Sequence, residues 1–577
     1  MRLTDQWPTN TSSSGPIWSL MALLVAVLSA DSARSQQTVG LFLNEPGAFD
    51  GYTLITPALY PSTYLIDMDG QLVHTWVHAS PFGASTRLLH DGTLLRTSAA
   101  PKAWDVGGFR AGRMEILNWD GSPLWRYDYV SEDYMVHHDV QMMPNGNVLG
   151  LVWDIRDRDE LVQAGYDLAN LTGENVWSER IVEFKPIPPD SAAIVWQWDV
   201  WDHLVQDADP LGPNSGNVRD EFFRVDINTA RGGDWLHFNA VDYNHELDLI
   251  VVSASYLNEF WVIDHSTTLE EARGRTGGRL GLGGDIVYRW GNPQNYRYGG
   301  DSTQTLSFLH STLWIPEELP GGGNLTVFDN GISADPPHSR VLELQLPYYE
   351  DLYDGRPYFH IAADNVFGDP EVVWSYASPG RFYSDIMSGQ QRLANGNTLI
   401  AEGMTGRLFE IEANSGNVVW EYINPVTGAG PLAQGAMIPG FGPPGSLRLQ
   451  NMVFRAWRYA QDFPGLAGRD LTPKGFIERM PTAIAEEPIP TGPGFLHQNY
   501  PNPFTASTRI MLELRESSHV RLTVYNALGQ ELAVLADGPM AAGTHTLEYS
   551  GVHLPPGIYY CRLDAGGHRI TRPMLRL

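Results

Sequence analysis

The stretch PNGNVLGLVW (Pro144–Trp153) is a tight Asn-Gly turn that runs directly into an apolar strand. Asn and Gly both tolerate positive φ, so the pair suits a hairpin turn. The same form recurs as DGTLL (Asp91–Leu95), ELDLIVVS (Glu246–Ser253), GGNLTVF (Gly322–Phe328) and ANGNTLI (Ala394–Ile400). A second signal alternates with it, a short strand ending in Trp: GQLVHTW (Gly70–Trp76), GSPLW (Gly121–Trp125), GENVW (Gly173–Trp177), GDIVYRW (Gly284–Trp290), EVVW (Glu371–Trp374) and GNVVW (Gly416–Trp420). Units of this size, each a few short antiparallel strands, are the sequence form of propeller blades. No blade can bury both faces alone, so neighbours stack around an axis. Five turn-strand-Trp units, with a sixth blade built from STYLIDMDGQLVHTW (Ser62–Trp76) and LRLQNMVFRAWRYA (Leu447–Ala460), predict an all-β chain with a six-bladed β-propeller. A β-sandwich array is the alternative, but it does not explain the recurring phase of the Trp signal.

The rest of the 577-residue chain sets limits on function. A net charge of −29 repels phosphate backbones, which argues against nucleic acid as a partner. An anionic substrate would need local Arg or His against that field. The single cysteine, Cys561, excludes an intrachain disulfide and a thiolate zinc site. The apolar run IWSLMALLVAVLSA (Ile17–Ala30) is too short to span a bilayer. Ala33-Arg34-Ser35 follows as a small-x-small cleavage site, so residues 1–35 read as a signal peptide. No second run reaches spanning length, so no integral membrane segment is expected.

Four of the turn-led strands can be compared at the start of the strand before them, and three of the four carry His there. His138 stands nine residues before Asn147, His237 eleven before Asp248, His310 fourteen before Asn324, and Ser388 nine before Asn397. In a propeller the innermost strands line the central channel, so equivalent positions converge. Three imidazoles facing one funnel would make a site; the plainer reading is that each caps a strand within its own blade. No carboxylate shares the phase, so no metal centre is expected. GRTGGRLGLGGD (Gly274–Asp285) lacks the Lys-Ser/Thr of a phosphate loop and reads as a flexible loop.

WLHFNAVDY (Trp235–Tyr243), FLHSTLWIPEELPGGGNLTVFDNG (Phe308–Gly331) and RFYSDIMSGQQRLANGNTLIAEGMTGRLFEI (Arg381–Ile411) resemble the bacterial arylsulfotransferases, over about Thr38 to Tyr459. The resemblance implies a six-bladed propeller that moves a sulfuryl group from an aryl sulfate donor to a phenolic acceptor through a sulfohistidine, without a nucleotide cofactor. It places His237, followed by Asn239, and His310 at family histidine positions, with Asn330 in the F-D-N-G segment and Arg340 as the candidate sulfate-binding arginine. His138 joins them as a candidate binding residue by its repeat phase. The family's nucleophilic histidine precedes a Leu-Phe pair, where this chain has Arg407. A guanidinium stays protonated and offers no lone pair, so Arg407 is expected to clamp charge while another histidine serves. The alternative is a secreted binding propeller that has lost the nucleophile.

After the Pro-rich linker PTAIAEEPIPTGPG (Pro481–Gly494), apolar and polar residues alternate between turns, which reads as a small antiparallel β-sandwich over 495–577. NYPNPF (Asn499–Phe504), VYNALGQEL (Val524–Leu532) and LPPGIYYCRL (Leu554–Leu563) resemble the sorting domain of type IX secretion substrates. That resemblance implies type IX machinery as a partner and a secreted or cell-surface product. The propeller is expected over 36–480.

Overall fold

Apolar runs such as LIVVSA (Leu249–Ala254) are continuous rather than alternating, which requires burial on both faces of a sheet. The structure, a computed structural model, supplies both faces. It describes residues 37–480 and 494–576, apart from 81, 107–108, 351–356, 363–365, 443–447, 503, 505, 527–528 and 556. The expected signal peptide and nearly all of the expected linker lie outside the described residues.

Among the described residues of the long N-terminal part stand six sheets of four or five strands, each one blade and antiparallel save for the short strand Gly233–Asp234, which pairs parallel with Val176–Ile187. Their innermost strands are Val453–Ala460 (blade 1), Phe82–Leu88 (blade 2), Tyr134–Met142 (blade 3), Phe238–Asn244 (blade 4), Leu309–Trp314 (blade 5) and Gly389–Arg392 (blade 6). Each innermost strand packs on the next, and that of blade 6 packs on that of blade 1. Successive side chains on a strand point to opposite faces, so neighbouring residues enter different cores. Leu94 packs towards blade 1 and Leu95 towards blade 3, and Leu249 and Ile250 divide likewise between blades 5 and 3.

The ring closes twice. Gly51–Pro57 pairs with Val453–Ala460, so blade 1 takes its innermost strand from late in the chain. Gly40–Asn44 pairs with Val418–Ile423 as a fifth, outermost strand of blade 6. The turn-led strands are the second strands of blades 2 to 6, and Trp76, Trp125, Trp290, Trp374 and Trp420 lie on fourth strands. One marker is displaced. Trp177 sits on the third strand of blade 3, because a helix (Arg158–Gln163) and its loops are inserted after the second; the fourth strand, Ser191–Asp199, carries Trp196 and Trp198.

The C-terminal part forms two antiparallel sheets, of three and four strands, over a common apolar core that includes Leu512, Leu522 and Leu563. Cys561 lies buried in that core, and burial pushes its thiol up to about 12, so it is unreactive at neutral pH.

Candidate functional site

Every innermost strand of blades 2 to 5 has an irregular register near its start, and these irregularities aim side chains into the channel. In blade 3, Val140 pairs with Gly150 but His137 pairs with Leu151, leaving His138 and Asp139 in a bulge. His138 takes φ 41° and His237 φ 52°, left-handed values uncommon for residues other than Gly, Asn and Asp. Such conformations persist where surrounding structure over-determines them, often at functional sites.

The bulges bring His138, His237 and His310 together. The rings of His138 and His237 meet edge to face at 4.8 Å between centroids. His138 lies 6.1 Å from Phe454, and His310 lies 6.3 Å from the same ring. Nδ1 of His237 donates to Asp234 Oδ2 at 2.5 Å, so in the neutral ring Nε2 is the nitrogen that carries the lone pair. Its ring stacks on Tyr256 at 4.6 Å, and Tyr256 is 46% exposed, so the pair stands at the channel mouth. Phe308 adds a further aromatic surface, 5.6 Å from Tyr256.

His310 is deeper. Nδ2 of Asn330 donates to the carbonyls of Ser384 and Met387, so its Oδ1 must be an acceptor. Nδ1–H of His310 therefore donates to Asn330 at 2.7 Å, and its Nε2 accepts from the Met387 amide at 3.2 Å. Burial lowers the His310 pKa to about 3; the Asn330 bond opposes that, and the fields of His237 and Arg455 add to it. His310 is a fixed neutral ring with its lone pair engaged.

Behind His138 lies a second histidine. His137 Nδ1 meets His138 Nδ1 at 2.8 Å, and His137 Nε2 meets Glu179 Oε2 at 2.8 Å. Burial holds both imidazoles well below the ordinary histidine value, and burial with the Asp234 charge raises Glu179 well above the carboxylate range. Both shifts favour a hydrogen bond between neutral groups over an ion pair at the His137–Glu179 contact.

Beneath the histidines, Arg455 from the innermost strand of blade 1 crosses the channel. It donates to Asp139 Oδ2 at 2.5 Å, to Ser311 Oγ at 2.5 Å and to the Asn239 carbonyl at 3.1 Å, tying blades 3, 5 and 4 to blade 1. Asp139 also accepts from Ser85 of blade 2 and from the Val241 amide of blade 4. Burial acts to raise Asp139, but Arg455 and Arg87 hold it below the ordinary value.

The remaining candidates lie elsewhere. Asn239 is buried, and its amide group donates to Ser255 Oγ and the Leu309 carbonyl, joining blades 4 and 5. Arg340, on the third strand of blade 5, pairs with Asp329 at 2.8 Å. The structure does not bring Arg407 to the histidines. It sits on the third strand of blade 6, where Glu421 at 2.5 Å and Glu402 at 3.2 Å engage its guanidinium. The Tyr500 hydroxyl of the C-terminal part donates to the same Glu421 at 2.5 Å. Two carboxylates, Asp234 and Glu179, serve the histidines from outside the repeat phase. Sequence reading missed Asp234, His137, Glu179, Tyr256 and Arg455, of which only Asp234 had a local signal, its spacing three before His237.

A family model described as Arylsulfotransferase (ASST) matches residues 36–427, and one described as Secretion system C-terminal sorting domain matches residues 498–575. No curated protein matches the chain. Similar solved structures include a Bacteroides caccae protein of unknown function (10% identity, 71% of this chain and 98% of that one, TM-score 0.35). Virginiamycin B lyase from Staphylococcus aureus (10%, 69% and 88%, TM-score 0.31) and the periplasmic gluconolactonase of Pseudomonas aeruginosa (10%, 65% and 96%, TM-score 0.31) are others. Likenesses this distant carry no information about chemistry. The C-terminal domain marks the chain for export to the cell surface or beyond. Among the described residues, no helix is long and apolar enough to cross a membrane.

Proposed function

This chain belongs to the arylsulfotransferase family, and from that premise we propose that it moves a sulfuryl group from an aryl sulfate to a phenolic acceptor, with no nucleotide cofactor. The observation that carries this reading is the Asp234–His237 pair, which presents Nε2 of His237 at the aromatic mouth of the channel. A neutral imidazole is a competent nucleophile near pH 7, and a carboxylate on Nδ1 fixes its tautomer and stabilises the positive charge that develops on attack. In the first half-reaction an N–S bond forms at His237 Nε2, the aryl O–S bond breaks, and a phenolate leaves. In the second half a phenol oxygen takes the sulfuryl group and restores the imidazole. Tyr256 and Phe308 offer stacking surfaces to the aryl ring. Arg455 lies below the histidines with its charge matched by the Asp139 carboxylate.

His237 is a stronger candidate nucleophile than His310, because the His310 lone pair already accepts the Met387 amide. Purified residues 36–577, mixed with a chromogenic aryl sulfate, are expected to release the aryl oxide faster when a phenol is added, with one sulfated phenol per donor consumed. Rapid quench with a labelled donor is expected to leave label on His237. Release without any labelled histidine would mean direct transfer. Binding without release would support the second reading, a binding propeller, which is favoured by one observation: blade 6 presents Met387 and Ser388, not an imidazole, at the matching position.

A further inference from the structure

The two half-reactions need a proton for the departing phenolate and a place to put the proton of the incoming phenol. We propose that Glu179, His137 and His138 form a proton relay that stores this proton on Glu179 and exchanges it with the phenol oxygen at Nε2 of His138, an inference that rests on the sulfuryl-transfer reading. Adjacent strand residues normally point to opposite faces. The bulge at His138 breaks that rule, so the His137 and His138 rings meet through their Nδ1 atoms. Both rings are fixed: His137 stacks on Trp153 at 4.0 Å and 6°, and His138 stacks on Phe109 at 4.6 Å and 18°. The other carboxyl oxygen of Glu179 accepts from the Phe238 amide at 2.9 Å. Protons must then pass along the bonds, not by ring rotation.

Only two hydrogen-bonded arrangements of neutral rings satisfy these contacts. When loaded, the Glu179 carboxylic acid donates to His137 Nε2, His137 Nδ1–H donates to His138 Nδ1, and His138 carries its proton on Nε2. When unloaded, the Glu179 carboxylate accepts from His137 Nε2–H, His137 Nδ1 accepts from His138 Nδ1–H, and His138 Nε2 holds a lone pair. The arrangements differ by one proton. As the aryl O–S bond breaks, the phenolate takes the Nε2 proton of His138, His138 takes that of His137, and His137 takes that of Glu179. The acceptor phenol reverses the sequence. No imidazolium forms in the buried chain at the end of either step. The directions of the shifts agree, since burial disfavours charge on both rings and on Glu179. The titratable groups facing the relay are His237, His310 and Arg455 at the His138 end and Asp234 at the Glu179 end.

Glu179→Gln tests this in the full folded protein. A glutamine amide accepts from Phe238 and donates to His137 Nε2, so it freezes the loaded arrangement with no proton to give. Infrared spectroscopy of wild type near neutral pH is expected to show a protonated buried carboxyl that shifts in D2O and is lost in E179Q. In single-turnover bursts without acceptor, which read the first half-reaction alone, donors with poor leaving groups are expected to release aryl oxide about 10²-fold or more slowly, the scale of a lost general acid, while donors with good leaving groups change little. His138→Phe, which keeps a ring on Phe109 but removes the exit, is the second variant. It must retain the carboxyl band and slow the burst only for the poor donors. Absence of the band in wild type, or an unchanged dependence on leaving group in either variant, overturns the relay. A band lost in E179Q from a protein that turns over no aryl sulfate supports proton storage on Glu179 and rejects the sulfuryl-transfer reading.

Discussion

At His237, one nitrogen is bound to a carboxylate, one ring face covers a half-exposed tyrosine, and the remaining nitrogen is free for chemistry. Its side chain is 16% exposed, and its contacts are mostly with groups at the rim. His237→Ala is therefore expected to shift the melting temperature little while lowering sulfuryl transfer by about 10²-fold or more. A packed core imidazole would give the reverse, a large fall in melting temperature with near-normal turnover in the folded fraction. The phase of His138, His237 and His310 was legible in the sequence because propeller symmetry repeats the backbone, and equivalent positions converge. Their partners were not, because partners follow space rather than phase. Glu179 reaches His137 from the third strand of blade 3, and Arg455 reads in sequence as one more charge in VFRAWRYA. Arg407 misled for the same reason: its neighbours Leu408 and Phe409 fit the family pattern, but Glu402 and Glu421 hold the guanidinium inside its own blade.

Blades adhere through apolar cores, and between blades 3 and 4 there is also an electrostatic clasp. His265, just after the third strand of blade 4, bonds Asp248 Oδ1 at 2.7 Å in its own blade and Glu183 Oε2 at 3.1 Å in blade 3. Burial alone would lower its pKa, but the hydrogen bonds to the two carboxylates outweigh that and raise it from 6.5 to about 9. A raised folded pKa means the folded state holds the proton more tightly than the unfolded chain. The stabilisation is then complete below 6.5 and disappears as pH rises through about 9. Urea titrations of wild type and His265→Gln are expected to differ most near pH 6 and to converge above pH 9; a difference that is constant with pH would contradict the clasp. Strand order was the most legible level of this fold, because tight turns and Trp positions are local. The Trp177 marker failed where a helix lengthens blade 3, since an insertion changes spacing without changing topology.

Across the whole ring, Arg455 is the hub, a buried cation that touches groups from three other blades. Arg455→Met is expected to cost about 3–5 kcal/mol by stranding the Asp139 carboxylate in the channel. Adding Asp139→Asn should restore part of that loss in chemical denaturation, because the stranded charge is then gone; no recovery would show that Arg455 acts through packing alone. The place of Arg455 in the chain also sets the order in which the protein can become competent. All three channel histidines leave the ribosome before residue 311, but the strand that seals blade 1 and carries Arg455 emerges only at 453–460. A chain stopped between residue 310 and that strand holds the reactive rings without their floor and with an open seam. The sorting domain comes later still, from residue 498 onwards. The sorting label is thus synthesised only on chains that already contain every strand the ring requires, so prematurely terminated copies lack it even when they carry the expected signal peptide.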